Sequence, residues 1–290
     1  MGNLADMRIT YYGTRGSIPV SGRDFCEFGG NTTCVLIEEG KTVVIIDAGT
    51  GIRNCGNELL QRKIKEIHIL FTHTHWDHIQ GFPFFGPAYS QNHHIFIYGE
   101  TKFLPRSRSI LDIPGENEDW QIQKALSWQQ FFMFFPVPLE QMPSKLVFFP
   151  IKPGEAFFVD DLEILPIALY HPNGSLGFRF SSRGKVFVFC TDVEHNTEIS
   201  QKLSDFAKGA DIFAYDSQYT PEEYEQGRKG WGHSTYKEGA RIATIAEVKS
   251  YHMIHHDPSH NDAKILEMEE EAKKIFPSTL AVREKNIFDI

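Results

Sequence analysis

The chain has 290 residues, of which 41% are hydrophobic, so it is long enough to bury a substantial core. Its formal net charge of -9 disfavours broad, sequence-independent binding to the phosphates of nucleic acids. No apolar run approaches the roughly 18 residues that a membrane helix needs, and the N-terminus lacks the basic-then-apolar order of a signal peptide. The four cysteines form no C-x-x-C pair, so we expect a cytoplasmic protein with reduced thiols.

The first hundred residues contain short apolar or β-branched runs that glycine-rich turns interrupt. The runs "MRITYYG", "TCVLIEEGKTVVIIDAG", "EIHILFTH" and "HHIFIYG" predict strands, with a hairpin turn at "EEG". A helix is predicted between them, from about Asn54 to Lys65.

The segment from about residue 100 to 144 is an insertion rich in aromatic residues. Its rings include Trp120, Trp128, Phe131, Phe132, Phe134 and Phe135. Its irregular pattern favours a cover over a sheet edge or a contact in a homodimer. The alternative is a lid whose rings line a substrate cleft.

A second series of strands is predicted from Lys145 to Asp192. "GKTVVIID" and "GKVFVFCTD" resemble each other, which indicates two similar sheets packed face to face within a single domain, residues 1–290. Helices follow. One begins with a capping box of Thr235 and Glu238, and the last is predicted to be capped by Asp262.

The stretch "THTHWDH" follows an apolar run and indicates a metal site. In an extended chain His73 and His75 project to the same side, as two ligands of one ion must. Asp77 and His78 offer an oxygen and a nitrogen to a second ion nearby. A hydrogen-bonded polar cluster is the alternative, but it would bury several titratable groups without a charge partner.

Further ligands are expected where other predicted strands end. "IALYHP" supplies His171, "FVFCTD" supplies Asp192, and "YHMIHHDP" supplies His255 or His256. A single histidine after a strand is more often structural, but three such residues after His-x-His-x-Asp-His support a two-ion centre. Asp47 in "IIDAGTG" is expected to support this centre through a hydrogen bond.

Over nearly its whole length the chain resembles the metallo-β-lactamase-fold hydrolases, within them the phosphodiesterase branch of ribonuclease Z and cyclic-nucleotide phosphodiesterases. The resemblance is carried by "GTRGSIP", "THTHWDHIQGFPFF", "LYHPNGSLGFRF", "CTDVEH", "GWGHST" and "HHDPSH". It implies a four-layer α/β/β/α sandwich with two divalent ions, typically zinc, with manganese or iron as alternatives. One ion would be held by His73, His75 and His171, the other by Asp77, His78 and His255, with Asp192 bridging them.

The element "GWGHST" resembles the His-Ser-Thr element of ribonuclease Z-like enzymes, which implies that His233 protonates the leaving oxygen. It precedes a predicted helix N-terminus, where a phosphate oxygen is favoured. The resemblance further implies attack by a metal-bridging hydroxide that Asp77 orients. The alternative for His233 is a loop histidine bonded to a backbone carbonyl.

Ribonuclease Z relatives that process tRNA carry a long Gly/Pro-rich arm, and this chain has no such segment. A small phosphodiester such as a cyclic nucleotide is therefore the expected substrate, and nucleic acid and membranes are not expected partners. Two alternatives stay open. The same ions could hydrolyse a carboxylic ester, lactone or thioester, or the protein could be a non-catalytic, metal-dependent signalling module.

Overall fold

The computed structural model describes residues 7–101 and 122–290, and two seven-stranded sheets lie among them. The first sheet contains β1 (Arg8–Gly13), β2 (Cys34–Glu39), β3 (Thr42–Ile46), β4 (Glu66–Leu70), β5 (His94–Glu100), β6 (Lys145–Ile151) and β14 (Ile287–Asp289). Its order is β14-β1-β2-β3-β4-β5-β6. The second contains β7 (Phe157–Val159), β8 (Leu162–Leu169), β9 (Ser175–Ser182), β10 (Lys185–Cys190), β11 (Ile212–Asp216), β12 (Ser250–Ile254) and β13 (Thr279–Ala281). Its order is β13-β12-β11-β10-β9-β8-β7.

The helices are α1 (Ile52–Gln61), α2 (Trp76–Ile79), α3 (Ile122–Gln129), α4 (Thr197–Phe206), α5 (Pro221–Glu223), α6 (Tyr236–Ile245) and α7 (Asp262–Lys273). A π-helical turn, Tyr224–Arg228, follows α5. Short 3-10 turns occur at Arg23–Phe25, Phe82–Phe84, Gly86–Tyr89 and Leu139–Gln141. In the described ranges, no helix is both long and apolar enough to cross a membrane.

The predicted four-layer sandwich is confirmed by the arrangement of the buried side chains. A central core joins the facing sheets, with Val44 and Leu70 from one and Phe178 and Phe187 from the other. Outer cores lie between the first sheet and α1 and α3, and between the second sheet and α4, α6 and α7. Strands β3 and β11 are buried on both faces, and for this reason they read as continuous apolar runs.

Each sheet changes from antiparallel to parallel pairing at the strand with the repeated sequence pattern. Strand β3 pairs with β2 antiparallel and with β4 parallel. Strand β10 pairs with β9 antiparallel and with β11 parallel. The aspartates that follow these strands, Asp47 and Asp192, have nearly equal left-handed φ values of 59° and 58°. The sequence repeat therefore corresponds to two similarly built sheets.

Two local details differ from the predicted helix ends. Helix α7 is capped by Asn261, whose side chain accepts from the backbone N–H of Lys264. Asp262 instead accepts backbone N–H groups of Glu27 and Phe28 and so ties the loop before β2 to this helix. Helix α1 begins at Ile52 and ends at Gln61, a few residues earlier than predicted.

The described part of the aromatic insertion consists of α3 and the loop that follows it. Ile122, Ala125 and Leu126 of α3 are buried in the outer core of the first sheet. Phe132, Met133 and Phe134, in contrast, are exposed. Trp120, also part of the predicted insertion, lies outside the described residues.

Candidate metal centre

The polar side chains of the centre follow strands that end at one edge of the two sheets. His73 to His78 come after β4, and Asp47 comes after β3. From the second sheet, His171 follows β8, Asp192 follows β10, and His255 follows β12. The local backbone is therefore fixed by buried strands, and the side chains project from the irregular turns beyond them.

One cluster contains the imidazoles of His73, His75 and His171. Their nitrogen atoms lie within 4.8 Å of one another, and His171 Nε2 is 3.0 Å from His75 Nδ1. His73 Nε2 is buried without a hydrogen-bond partner. Burial lowers the pKa of His171 to about 4 and also lowers the pKa of His73 and His75. These rings are neutral near pH 7, as metal-binding imidazoles must be.

A second cluster contains Asp77, His78, Asp192 and His255. His78 Nε2 is 3.2 Å from Asp77 Oδ2 and 3.2 Å from Asp192 Oδ2. His255 Nε2 is 3.4 Å from each of the same two oxygens. Burial by itself lowers the pKa of His78 and His255, but the neighbouring carboxylates outweigh this effect. Asp192 and Asp77 raise the pKa of His78, and Asp192 raises that of His255 to about 9. A divalent cation would take the place of those protons.

Asp192 lies between the two clusters. Its Oδ2 faces the second cluster, while its Oδ1 is 3.8 Å from His73 Nε2 and 3.7 Å from His171 Nε2. Oδ2 is buried and accepts no hydrogen bond within the described ranges. This buried carboxylate oxygen, whose neighbours are the ring nitrogens of His78 and His255, and the unpaired Nε2 of His73 are atoms that bound cations would satisfy. This donor set of imidazoles and carboxylates fits zinc, manganese or iron.

The outward-facing nitrogens of the imidazoles are held by oxygen atoms. His78 Nδ1 donates to Asp47 Oδ2 over 2.7 Å, His171 Nδ1 donates to the Gly232 carbonyl over 2.7 Å, and His255 Nδ1 donates to Gln218 Oε1 over 3.0 Å. His73 Nδ1 lies 3.0 Å from Thr72 Oγ1, which itself donates to Asp47. With Nδ1 held in this way, Nε2 of each ring is left facing the centre, an arrangement typical of metal-bound histidines.

The structure separates the adjacent residues His255 and His256. His255 lies in the second cluster, whereas His256 Nε2 donates to the Val282 carbonyl and its ring packs edge-on against Phe28. His260 lies apart from both clusters and pairs with Glu223 at 2.8 Å. The "GTRGSIP" turn closes over the same edge, since Ser17 N donates to Asp77 Oδ2 over 2.8 Å.

His233 lies over both clusters, two residues before Thr235, the N-cap of α6. Its ring stacks on that of His255 at 5.1 Å between centroids and is 5.2 Å from that of His171. Its Nδ1 donates to Asp216 Oδ2 over 2.9 Å, so the structure does not support the backbone-bonded alternative. Thr235 accepts from Glu238 N, but the Glu238 side chain contacts Ser200 and Arg241, so the capping box is half formed.

Asp216 is a buried residue of the centre that the sequence analysis did not identify. Besides His233, it accepts the backbone N–H groups of Asp192, Gln218 and Ser234. It ends the apolar strand β11, and the strand-end signal that identified Asp192 applies to it equally. Glu194 was also missed. It accepts from the backbone of Gly230 and Gly232 and so holds the loop that carries His233.

Comparisons with known proteins agree with this architecture. Ribonuclease Z of Enterococcus faecalis is 24% identical over an alignment of 315 residues, which covers 98% of this chain and 97% of the relative. Ribonuclease Z of Oceanobacillus iheyensis is 26% identical over 318 residues, covering 98% and 100%. The crystal structure of the metallo-beta-lactamase fold protein YhfI from Bacillus subtilis superimposes with a TM-score of 0.72 at 16% identity, covering 99% and 100%.

The family model described as the beta-lactamase superfamily domain matches residues 42–256, well over half of the chain. The match extends from β3 to His256 and includes all seven side chains of the two clusters. The chain therefore belongs to the beta-lactamase superfamily and has the metallo-β-lactamase fold.

Proposed function

We propose that this metal-dependent hydrolase is a phosphodiesterase that acts on a small phosphodiester such as a cyclic nucleotide. One ion would be bound by His73, His75 and His171, and the other by Asp77, His78 and His255, with Asp192 shared. Two ions held in this way activate water and neutralise charge on phosphoryl oxygens. The hydrolase class is supported by the superfamily and by the ribonuclease Z relatives.

The observation that carries the proposal is the position of Asp192 between two clusters of nitrogen and oxygen donors. The imidazoles are held by their outer nitrogens, so little reorganisation would accompany ion binding. Asp77 Oδ2 lies within 3.4 Å of two ring nitrogens and accepts from Ser17 N, which fixes its orientation toward the centre.

His233 is proposed as the proton donor to the leaving oxygen. Asp216 binds its Nδ1 and would stabilise the charged imidazolium, which leaves Nε2 as the nitrogen that can transfer a proton. Asp216 also accepts from the backbone N–H of Asp192, so one carboxylate aligns the proton donor with the carboxylate shared by the ions.

The proposal of a small substrate rests on the sequence, which contains no long Gly/Pro-rich arm. The alignment with the Enterococcus faecalis ribonuclease Z spans 315 residues, whereas 98% of this chain is about 284 residues. About 30 positions of that relative therefore lie opposite gaps in this chain. The net charge of -9 also opposes the binding of a long polyanion.

The test is hydrolysis of bis(p-nitrophenyl) phosphate by the zinc- or manganese-loaded protein, with a metal-stripped sample and p-nitrophenyl acetate alongside. We expect metal-dependent release from the diester. In His233→Ala, turnover of adenosine 3′,5′-cyclic phosphate, whose leaving group is an alkoxide, should fall roughly 10²- to 10⁴-fold with metal content retained. Turnover of bis(p-nitrophenyl) phosphate should fall much less, because p-nitrophenolate leaves without a proton. His94→Ala, at an exposed histidine of β5, is the control and should match the wild type.

Activity on the acetate alone would identify an ester hydrolase, and a lack of both activities would favour a signalling module. A higher kcat/KM for precursor tRNA than for any cyclic nucleotide would contradict the proposal that the substrate is small. Four expectations from the sequence stay predictions: the cytoplasmic location, the homodimer, the single domain over residues 1–290 and zinc as the native metal.

A further inference from the structure

A cleft of about 480 Å³ lies beside the metal ligands. One wall is formed by the turn that carries the metal-binding motif, with Thr74, Trp76 and Ile79. The other is formed by α3 and the loop after it, with Trp128, Gln129 and Phe134. The volume is in the range typical of small-molecule sites.

The cleft and the metal centre share a stretch of backbone. Thr74 lies between His73 and His75 in the chain, and Trp76 lies between His75 and Asp77. Neighbouring Cα atoms are about 3.8 Å apart, so the cleft wall is one residue away from three proposed ligands. The cleft therefore adjoins the centre along this backbone, although none of the three ligands lines it.

The cleft is lined by aromatic and uncharged side chains. The side chains of Trp76 and Phe134 are 81% and 78% exposed, so their ring faces are accessible to a ligand. No lysine, arginine, aspartate or glutamate is among the described residues that line it. This lining favours a flat, uncharged group over a second phosphate or a carboxylate.

Gln129 fixes the two walls of the cleft relative to each other. Its Nε2 donates to the Ile79 carbonyl over 2.9 Å, which joins α3 to α2. Its Oε1 is enclosed by the protein and is therefore not a contact for a ligand in the cleft.

We infer that this cleft binds the base of a nucleoside phosphodiester, stacked on Trp76 and Phe134. The inference rests on the proposed function in that the phosphodiester of the same molecule occupies the metal centre. The substrate class is then a phosphodiester that carries a flat, uncharged base.

The first test measures binding without catalysis. Adenosine, which has no phosphate, is titrated into the metal-loaded protein while tryptophan fluorescence is recorded, because two indoles line the cleft. We expect quenching by adenosine and none by ribose, which has no ring to stack. Phe134→Ala should raise the Kd for adenosine roughly 5- to 100-fold. Phe132→Ala is the matched control, since Phe132 is 69% exposed in the same loop and does not line the cleft.

The second test measures the ratio of kcat/KM for adenosine 3′,5′-cyclic phosphate to that for the corresponding ribose cyclic phosphate without a base. Phe134→Ala should lower this ratio at least 5-fold, and Phe132→Ala should leave it at the wild-type value.

Failure of this inference can be distinguished from failure of the proposed function. If no phosphodiester is hydrolysed, the proposed function is wrong, and adenosine binding still decides whether the cleft accepts a base. If diesters are hydrolysed but Phe134→Ala and Phe132→Ala behave alike, the cleft does not bind the base. A third outcome is that Phe134→Ala and Phe132→Ala both dissociate an oligomer and leave adenosine binding unchanged. This result would show that the loop after α3 is a contact between copies of the chain, and it would overturn the inference.

Discussion

His255 and His256 are adjacent and equally buried, but only His255 has a ring nitrogen directed at the carboxylates of the centre. The sequence left the choice between them open because neighbouring side chains in an extended segment point to opposite sides without indicating which side holds the metal. The backbone conformation determines which of the two rings is directed at the centre. His255 adopts a left-handed conformation with φ of 64°, and its Nδ1 is held by Gln218.

A pair of glutamine substitutions tests this difference. We expect His255→Gln to lower the metal content from about two ions to about one per chain, because the second cluster loses an imidazole. His256→Gln should keep both ions, since the amide can still donate to the Val282 carbonyl. The measurement is metal content by mass spectrometry after gel filtration. Equal loss in the two variants would show that His255 is not a specific ligand.

At the scale of the elements, the turn after β4 is held by close backbone packing. Ala48 N donates to the His78 carbonyl and Gly81 N donates to the Ala48 carbonyl, both over 2.8 Å. A Cβ atom on Gly81 would lie 2.1 Å from the Gly49 carbonyl oxygen. The metal-binding motif is thus packed directly against the turn that carries Asp47.

Gly81→Ala should therefore destabilise the protein by roughly 1–3 kcal/mol, because backbone atoms cannot move aside as a side chain can. Gly86→Ala is the control, since a Cβ atom there approaches only the Leu60 side chain within 3 Å. Urea unfolding followed by far-UV circular dichroism gives both values. An unchanged midpoint for Gly81→Ala would mean that the turn can relax without cost.

The elements themselves were largely predictable, because each strand is a local run of apolar residues that ends in a polar one. Strands β4, β8, β10 and β12 and the side chains that follow them were identified in this way. The link between His233 and Asp216 was not, since it joins a loop to a strand end and depends on tertiary packing. Asn261 replaces Asp262 as the helix cap because Asp262 is engaged by the backbone of a distant loop.

At the scale of the whole molecule, a buried histidine links the two sheets. His252 on β12 pairs through Nδ1 with the hydroxyl of Tyr11 on β1 over 2.8 Å, and its ring contacts Phe288 on β14. Burial lowers the pKa of His252 to about 3. The native state therefore excludes a proton that the unfolded chain binds below about pH 6.5.

This linkage predicts a loss of stability in acid. The contribution is fully present above pH 6.5 and declines as the pH falls from about 6.5 toward 3, by about 2 kcal/mol at pH 5. In His252→Gln the difference in unfolding free energy between pH 8 and pH 5 should be smaller by that amount. Denaturant titrations at the two pH values measure it. An equally steep acid dependence in the variant would assign the effect to other groups.

The division of the proposed metal ligands between the sheets has a thermodynamic consequence. Turns of the first sheet supply His73, His75, Asp77 and His78, and turns of the second supply His171, Asp192 and His255. Neither half contains a full set for either ion, so ions bound as proposed act as cross-links across the sandwich. For each bound ion, free metal above the dissociation constant then adds about 1.4 kcal/mol to the free energy of unfolding for every tenfold increase in concentration. The stability of the fold would therefore increase with the concentration of free metal and decrease when the metal is withdrawn.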